Sequence, residues 1–360
     1  MFQLSEPTAQ FPHRADYRWP DDAPPIGYRP KMLPARKLIA LATAFLAACG
    51  LNELGIVSPL TDDAGTSPEA GADAPVVEPD ASTDSATDVL TDTSSCGDAA
   101  TDPSNCGSCG HGCGGGACLA GKCQPLVLLD RTPAIVRAVA VDAANVYIAT
   151  NFPSNLEVAN LDGTNDRVLI AAANAAQIKV DGTYVYYTNG QLRRARIVDG
   201  TGDTMVANRL DGCIWLGPGN FAFSTDDLNT KIQRIDLADS GVVTIATAAN
   251  GAVNPWGVAV TGTDLFWSNN TASGSILRLA LGAGGSGTPI RPAQSNPTCI
   301  TLEGDTMYWP DSSSGRILRS DLSGGSFDTI ATGQVTPTQI ALSATYLYWN
   351  SGTKVMRLAR

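Results

Sequence analysis

From about residue 122 to the C-terminus one pattern recurs, and a period near forty residues leaves few folds open to the chain that carries it. Each copy reads as a hydrophobic run, a turn, a second run ending in an aromatic pair and a small polar residue, then a third run. Six second runs align: Val146–Asn151, Val185–Asn189, Phe221–Thr225, Leu265–Asn269, Met307–Asp311 and Leu347–Ser351. They are β-branched or aromatic and stop at turn formers, as strands do. The third runs follow as Leu156–Val158, Leu192–Arg194, Ile232–Arg234, Ile276–Arg278, Ile317–Arg319 and Val355–Arg357, with Arg in the last five.

The first runs are Ala138–Val141, Ile178–Val180, Cys213–Leu216, Gly257–Val260, Cys299–Leu302 and Gln339–Leu342. They are too continuously apolar for strands with one face in water, and a sheet packed between two neighbours satisfies that requirement. The spacing therefore predicts an all-β chain, a six-bladed β-propeller over residues 124–360. Its 36 glycines and 22 prolines suit many short elements joined by turns. Copy six stops after its third run, so its outer strand must come from elsewhere. Pro125–Leu129 matches the position of Asp328–Ala331 in copy five and is expected to close the ring. Closure removes the sheet edges that invite aggregation.

The segments Tyr187-Thr188-Asn189, Phe266-Trp267-Ser268-Asn269 and Tyr308-Trp309-Pro310-Asp311, each followed by an arginine-bearing third strand, resemble the YWTD repeats of low-density-lipoprotein-receptor-type propellers. NHL-type propellers are similar. The resemblance covers about two thirds of the chain and implies the fold; Asn or Ser mostly replaces the motif's Asp, and no ligand is implied.

Upstream the chain changes character. Residues 36–49 read as two basic residues, an uncharged stretch and Cys49, a signal peptide too short to span a bilayer. The motif Leu46-Ala47-Ala48-Cys49 resembles the lipobox of bacterial lipoproteins, which implies a diacylglycerol on the Cys49 thiol and membrane attachment through it. Residues 1–31 fit no signal peptide, so Met32 is the expected start and 1–48 the region removed. Gly50 in place of Asp points to the outer membrane of a Gram-negative envelope. Residues 49–95 are expected to form a disordered acidic linker, because 51–95 hold no Lys or Arg and little apolar surface.

Residues 96–123 hold Cys96, Cys106, Cys109, Cys113, Cys118 and Cys123 in a glycine-rich stretch. In an oxidising envelope they form a disulfide framework whose connectivity the spacing leaves open. Zinc is the rival reading, since Cys106 and Cys109 have ligand spacing and His111 is near, but no second ligand pair completes a finger. The segment resembles small Cys-rich modules of bacterial surface lipoproteins.

Charge excludes one class of partner. Residues 49–123 carry 12 acidic groups and one basic group, while 124–360 carry 19 and 17. Nothing here clusters Lys and Arg as a nucleic-acid surface must. With only His13 and His111, histidine-based catalysis in the propeller is excluded too. Asp142, Asp181 and Glu303 end first strands as turn residues rather than metal ligands. No catalytic residue, metal or cofactor is assigned.

The repeated aromatics read as core, and the repeated arginines as inter-strand partners. Binding is expected where the loops joining second to third strands meet the links between blades, with Arg137, Asn151, Asp226, Trp256, Asn269 and Asp311 as candidates. The expected function is a surface-tethered binding module for a protein or carbohydrate; a metal-assisted hydrolase or lyase acting on sugars or lactones and a purely structural envelope protein are the alternatives. Cys213 and Cys299, on blades two apart and related by about 120°, are expected to be free buried thiols too distant to pair.

Overall fold

The computed structural model describes residues 96–360 except Asp227 and Ala283. The expected signal peptide, Cys49 and the acidic linker lie outside the described residues. The first described element is the Cys-rich module, with a two-stranded hairpin of β1 (Cys118–Leu119) and β2 (Lys122–Cys123). All six cysteines pair, as Cys96–Cys109, Cys106–Cys118 and Cys113–Cys123. The module rests on the last blade: Arg357 Nη2 donates to the Gly114 carbonyl at 2.8 Å. Gly114, with φ +58°, lies against the Tyr346 ring where no Cβ would fit.

Six four-stranded antiparallel sheets follow. After β3 (Leu126–Asp130), blade 1 holds β4 (Ile135–Val141), β5 (Asn145–Asn151), β6 (Leu156–Asn160) and β7 (Arg167–Ile170). Blade 2 holds β8 (Gln177–Val180), β9 (Tyr184–Thr188), β10 (Gly190–Arg196) and β11 (Thr204–Leu210), and blade 3 holds β12 (Trp215–Gly217), β13 (Phe221–Thr225), β14 (Lys231–Asp236) and β15 (Val242–Thr247). Blade 4 comprises β16 (Pro255–Val260), β17 (Asp264–Asn269), β18 (Gly274–Ala280) and β19 (Thr288–Gln294). Blade 5 comprises β20 (Thr301–Glu303), β21 (Thr306–Asp311), β22 (Arg316–Asp321) and β23 (Phe327–Ala331). Blade 6 has β24 (Ile340–Leu342), β25 (Tyr346–Ser351) and β26 (Lys354–Ala359), and its outer strand is β3, paired Val355 to Leu129 and Arg357 to Leu126. The ring closes as the repeat predicts.

The core is not one mass but six wedges, one between each pair of neighbouring blades. Because successive strand residues point to opposite faces, an aromatic pair on a second strand serves two wedges at once. Trp267 packs toward blade 3 and Phe266 toward blade 5. Trp309 and Tyr308, Trp349 and Tyr348, and Tyr187 and Tyr186 divide in the same way. Trp267, Trp309 and Trp349 are fully buried. The indole N–H groups of Trp309 and Trp349 donate to Gln294 and Gln334 at 3.1 and 2.8 Å, so two large rings enter the core with their polar atoms satisfied.

The recurrent arginines are structural. Arg278 holds Asp264 through two nitrogens at 2.9 and 3.0 Å, and Arg193 pairs with Asp203. Arg194, Arg234 and Arg357 lie over the rings of Tyr184, Phe221 and Tyr346.

One expectation is overturned. Cys213 and Cys299 form a disulfide, with Cα atoms 5.5 Å apart. The ring is narrower at this level than that expectation requires. A 5.5 Å chord across about 120° puts each Cα only about 3 Å from the propeller axis. Blade 4, between them, is thin at that level: the Cys213 amide donates to the Trp256 carbonyl at 3.0 Å, and Gly257 presents no side chain toward the Thr298 carbonyl that precedes Cys299.

Candidate functional site

The two ends of the ring differ in chemistry. At one end first strands turn into second, and third into outer. Asp142, Asp162, Asp181, Asp199 and Asp321 cap those turns by accepting amides two to five residues on. The Asp142 carboxyl shows the balance of forces: burial pushes its pKa up, but the Ala144 amide, the Tyr147 hydroxyl and the Asn145 amide outweigh burial and hold it below the ordinary value. In turn, burial and the Asp142 carboxylate push the Tyr147 phenol well above its usual range.

The opposite end is built from the loops that join second to third strands and from the links between blades. The stretches 152–155, 171–176, 248–254, 270–273, 295–298 and 332–338 contain no charged residue; they are Asn, Gln, Ser, Thr, Ala, Gly and Pro with isolated large apolar side chains. Three of these project from this end, Phe152, 79% exposed, Val253 and Val335, and Ile135 at the start of β4 and Leu228 in the Asp226 turn are exposed there too. Three of the five are contiguous through the backbone. The Gly352 amide donates to the Val335 carbonyl at 2.8 Å, the Val136 amide donates to the Gly352 carbonyl at 2.9 Å, and Ile135 pairs with Asn151, the residue before Phe152. A ridge of Val335, Ile135 and Phe152 thus crosses blades 6 and 1.

All six sequence candidates lie at this end, and most of their side chains are part of its framework. Asn269 is buried, accepting from the Val253 amide and donating to the Gly251 carbonyl. Asp311 is fully buried with one oxygen 2.7 Å from Arg316 and the other without a partner. Asp226 is buried and caps the turn that carries Leu228: burial raises its pKa, but the Thr230 hydroxyl, with the Thr230 and Lys231 amides, brings it below the ordinary value. Asn151 is half-buried and accepts from Ser154. Arg137 and Trp256 are half-buried at equivalent irregular positions of the inner strands β4 and β16. Trp256 Nε1 has no partner among the described residues. The exposed ridge itself escaped the sequence reading; its one signal was a lone large apolar residue in each of several uncharged loops.

Below this face the channel is sealed. The Cys213–Cys299 bridge ties blade 3 to blade 5, and Gln339 Nε2 donates to the Ile178 carbonyl at 2.6 Å, tying blade 6 to blade 2. Gln177, Cys213, Cys299 and Gln339 are all buried there. Beneath the seal a cavity of about 270 Å³ lies among the inner strands, lined by residues including Lys179, Trp215, Leu302 and Leu342. Among the described residues, the only three His, Cys, Asp or Glu side chains close enough to share an ion are Cys106, Cys113 and Cys123, all in disulfides.

No protein-family model and no curated protein matches the chain. Many solved structures do. Regucalcin of Agrobacterium tumefaciens, a calcium-binding protein, superposes with a TM-score of 0.53 at 13% identity over 64% of this chain and 92% of its own. Virginiamycin B lyase of Staphylococcus aureus gives 0.51 at 14% identity over 66% and 98%, and the PQQ-bound aldose sugar dehydrogenase of Streptomyces coelicolor gives 0.51 at 13% over 66% and 98%. The class is therefore a six-bladed β-propeller of the kind these share. Three such different chemistries on one fold mean that the fold alone assigns none of them here.

Proposed function

We propose that this protein is a lipid-anchored module of the bacterial cell envelope that binds another protein through the sparsely charged loop face of its propeller. The observation that carries this reading is the set of large apolar side chains, Phe152 foremost, exposed at one face, three of which adjoin one another across blades 6 and 1. A soluble surface has no reason to gather such side chains unless a partner covers them. Protein rather than carbohydrate fits their chemistry: sugars are held by stacking on aromatic rings, and four of the five are aliphatic. Small polar loops around an aromatic anchor are also the composition that antibody loops use against protein. A sealed channel beneath makes the face a docking surface rather than the mouth of a deep site. Acylation at Cys49 and a long acidic spacer would hold it clear of the membrane, and metabolic labelling with an alkyne fatty acid, lost in Cys49→Ser, checks the anchor.

A photo-crosslinking residue placed at position 152, and as a control at exposed Val198 on the opposite end, tests the reading in intact cells. One discrete protein adduct from position 152 and none from 198 is expected, with loss of capture in Phe152→Asp. Equal or absent crosslinking at both positions sinks it.

A further inference from the structure

The cavity beneath the seal faces away from the docking surface and belongs to none of the features used so far. We infer that it is a binding site for a small monoanion with an apolar body, a short-chain carboxylate in chemical class, held through Lys179. Inner strands of five blades wall it, and at about 270 Å³ it lies below the roughly 300–1,000 Å³ of sites for drug-sized ligands. Most of that wall is aliphatic: Ala140, Val141, Val180, Leu302, Ala341 and Leu342.

One ammonium stands in this wall with no protein acceptor. Lys179 Nζ sits 5.3 Å from the centre of the Trp215 ring, and no carboxylate or carbonyl among the described residues holds it. Trp215 Nε1 is buried and also unpartnered. Lys179 is half-buried, so its ammonium is only partly hydrated, and a cation held against an apolar wall gains from a counter-charge. Burial lowers the Lys179 pKa to about 8, so the group remains mostly protonated at neutral pH, and Glu303, the one carboxylate in the same wall, is engaged by Arg360. An anion in the cavity supplies the counter-charge that Lys179 lacks, and the aliphatic wall accommodates a hydrocarbon body behind it.

The charge should be single. Asp142, Asp181 and Glu303 stand at the ends of inner strands on this side, where a polyanion would meet all three. Their own bonds partly occupy them: Asp142 with the Tyr147 hydroxyl, Asp181 with the Tyr186 hydroxyl, and Glu303 with Arg360 at 2.8 Å. A monoanion therefore reaches Lys179 with less opposition than a phosphate ester.

Hexanoate is the probe, with hexylamine of the same length as the cationic control. Calorimetric titration of the whole processed protein should show saturable binding of hexanoate and none of hexylamine, and Lys179→Met should weaken hexanoate by at least about tenfold. Because that variant can disturb the inner ring, a second measurement uses the wild type alone: acylation of Lys179 by an N-hydroxysuccinimide ester, followed by peptide mass spectrometry, should slow several-fold when hexanoate is present. Absence of saturable hexanoate binding, equal binding by Lys179→Met at an unchanged melting temperature, or acylation indifferent to hexanoate overturns the inference. None of these outcomes bears on the docking face, which lies across the seal.

Discussion

Replacing Cys213 and Cys299 together by serine should remove a large share of the propeller's stability without changing its fold. The bridge spans 86 residues of sequence, and in the chain-entropy account a loop of that length restricts the unfolded ensemble by about 4 to 5 kcal/mol. Serine keeps the volume nearly constant, so little cavity cost is added. For a domain of this size each kcal/mol corresponds to about 2–4 °C, which places the expected fall in melting temperature at roughly 10–15 °C. The double variant is the right comparison, because a reductant would open the three module bridges as well. Scanning calorimetry gives the shift, and thiol titration of denatured, unreduced wild type gives the covalent state. Two reactive thiols in the wild type, or a shift under about 2 °C, would mean that no bridge at this place stabilises the ring.

Ring closure predicts that a chain starting at Ala134, without β3, is less stable by at least about 2 kcal/mol than one starting at Gln124, since Leu128 and Leu129 lose their packing and β26 becomes an exposed edge. Equal urea midpoints for the two chains would argue against closure. Acid should weaken the fold through Asp142. Its folded pKa lies below the unfolded one, so its contribution is present above the unfolded value and is lost as pH falls through the folded value. Between about pH 5 and 2 the urea midpoint should therefore drop less steeply in Asp142→Asn, by up to one proton's worth, about 1.4 kcal/mol per pH unit, and an unchanged slope counts against the assignment.

Periodicity carried the fold because every blade repeats the same demand. A first strand buried on both faces and an aromatic pair with one ring for each neighbouring wedge can be satisfied only between two copies of the same sheet, so Phe266-Trp267 and Tyr348-Trp349 state the architecture locally. The closing strand was legible for the same reason: one outer strand was missing and one spare run existed. Side-chain exposure at the loop face was not legible. Asn269 and Asp311 look like free polar loop residues in sequence, yet they are drawn inward to satisfy the Val253 amide and the Arg316 guanidinium, and that inward turn leaves neighbours such as Val253 outside. For Asn269 the deciding donor is a backbone amide of the preceding link, sixteen residues away, and no local pattern encodes it.

The closeness of Cys213 and Cys299 is not encoded locally either, and Gly257 is the position that tests its cause. Six-fold geometry fixes the angle between blades but not the radius, and the radius here is set by what blade 4 places between its neighbours. A Cβ on Gly257 would collide with the Thr298 carbonyl and come within 2.7 Å of Ser268 Oγ, which itself receives the Gly257 amide and donates to that same carbonyl. Gly257→Ala must push blade 5 outward at the level where Cys299 reaches Cys213. Overpacking of this kind costs about 1–3 kcal/mol. With the bridge present the ring cannot relax, so the cost should sit at the upper end; in the Cys213→Ser, Cys299→Ser background blade 5 can move and the cost should be smaller. A double-mutant cycle by urea unfolding should then show a coupling of about 1 kcal/mol between position 257 and the bridge. Strict additivity would mean that the space at Gly257 and the closeness of the cysteines have separate causes.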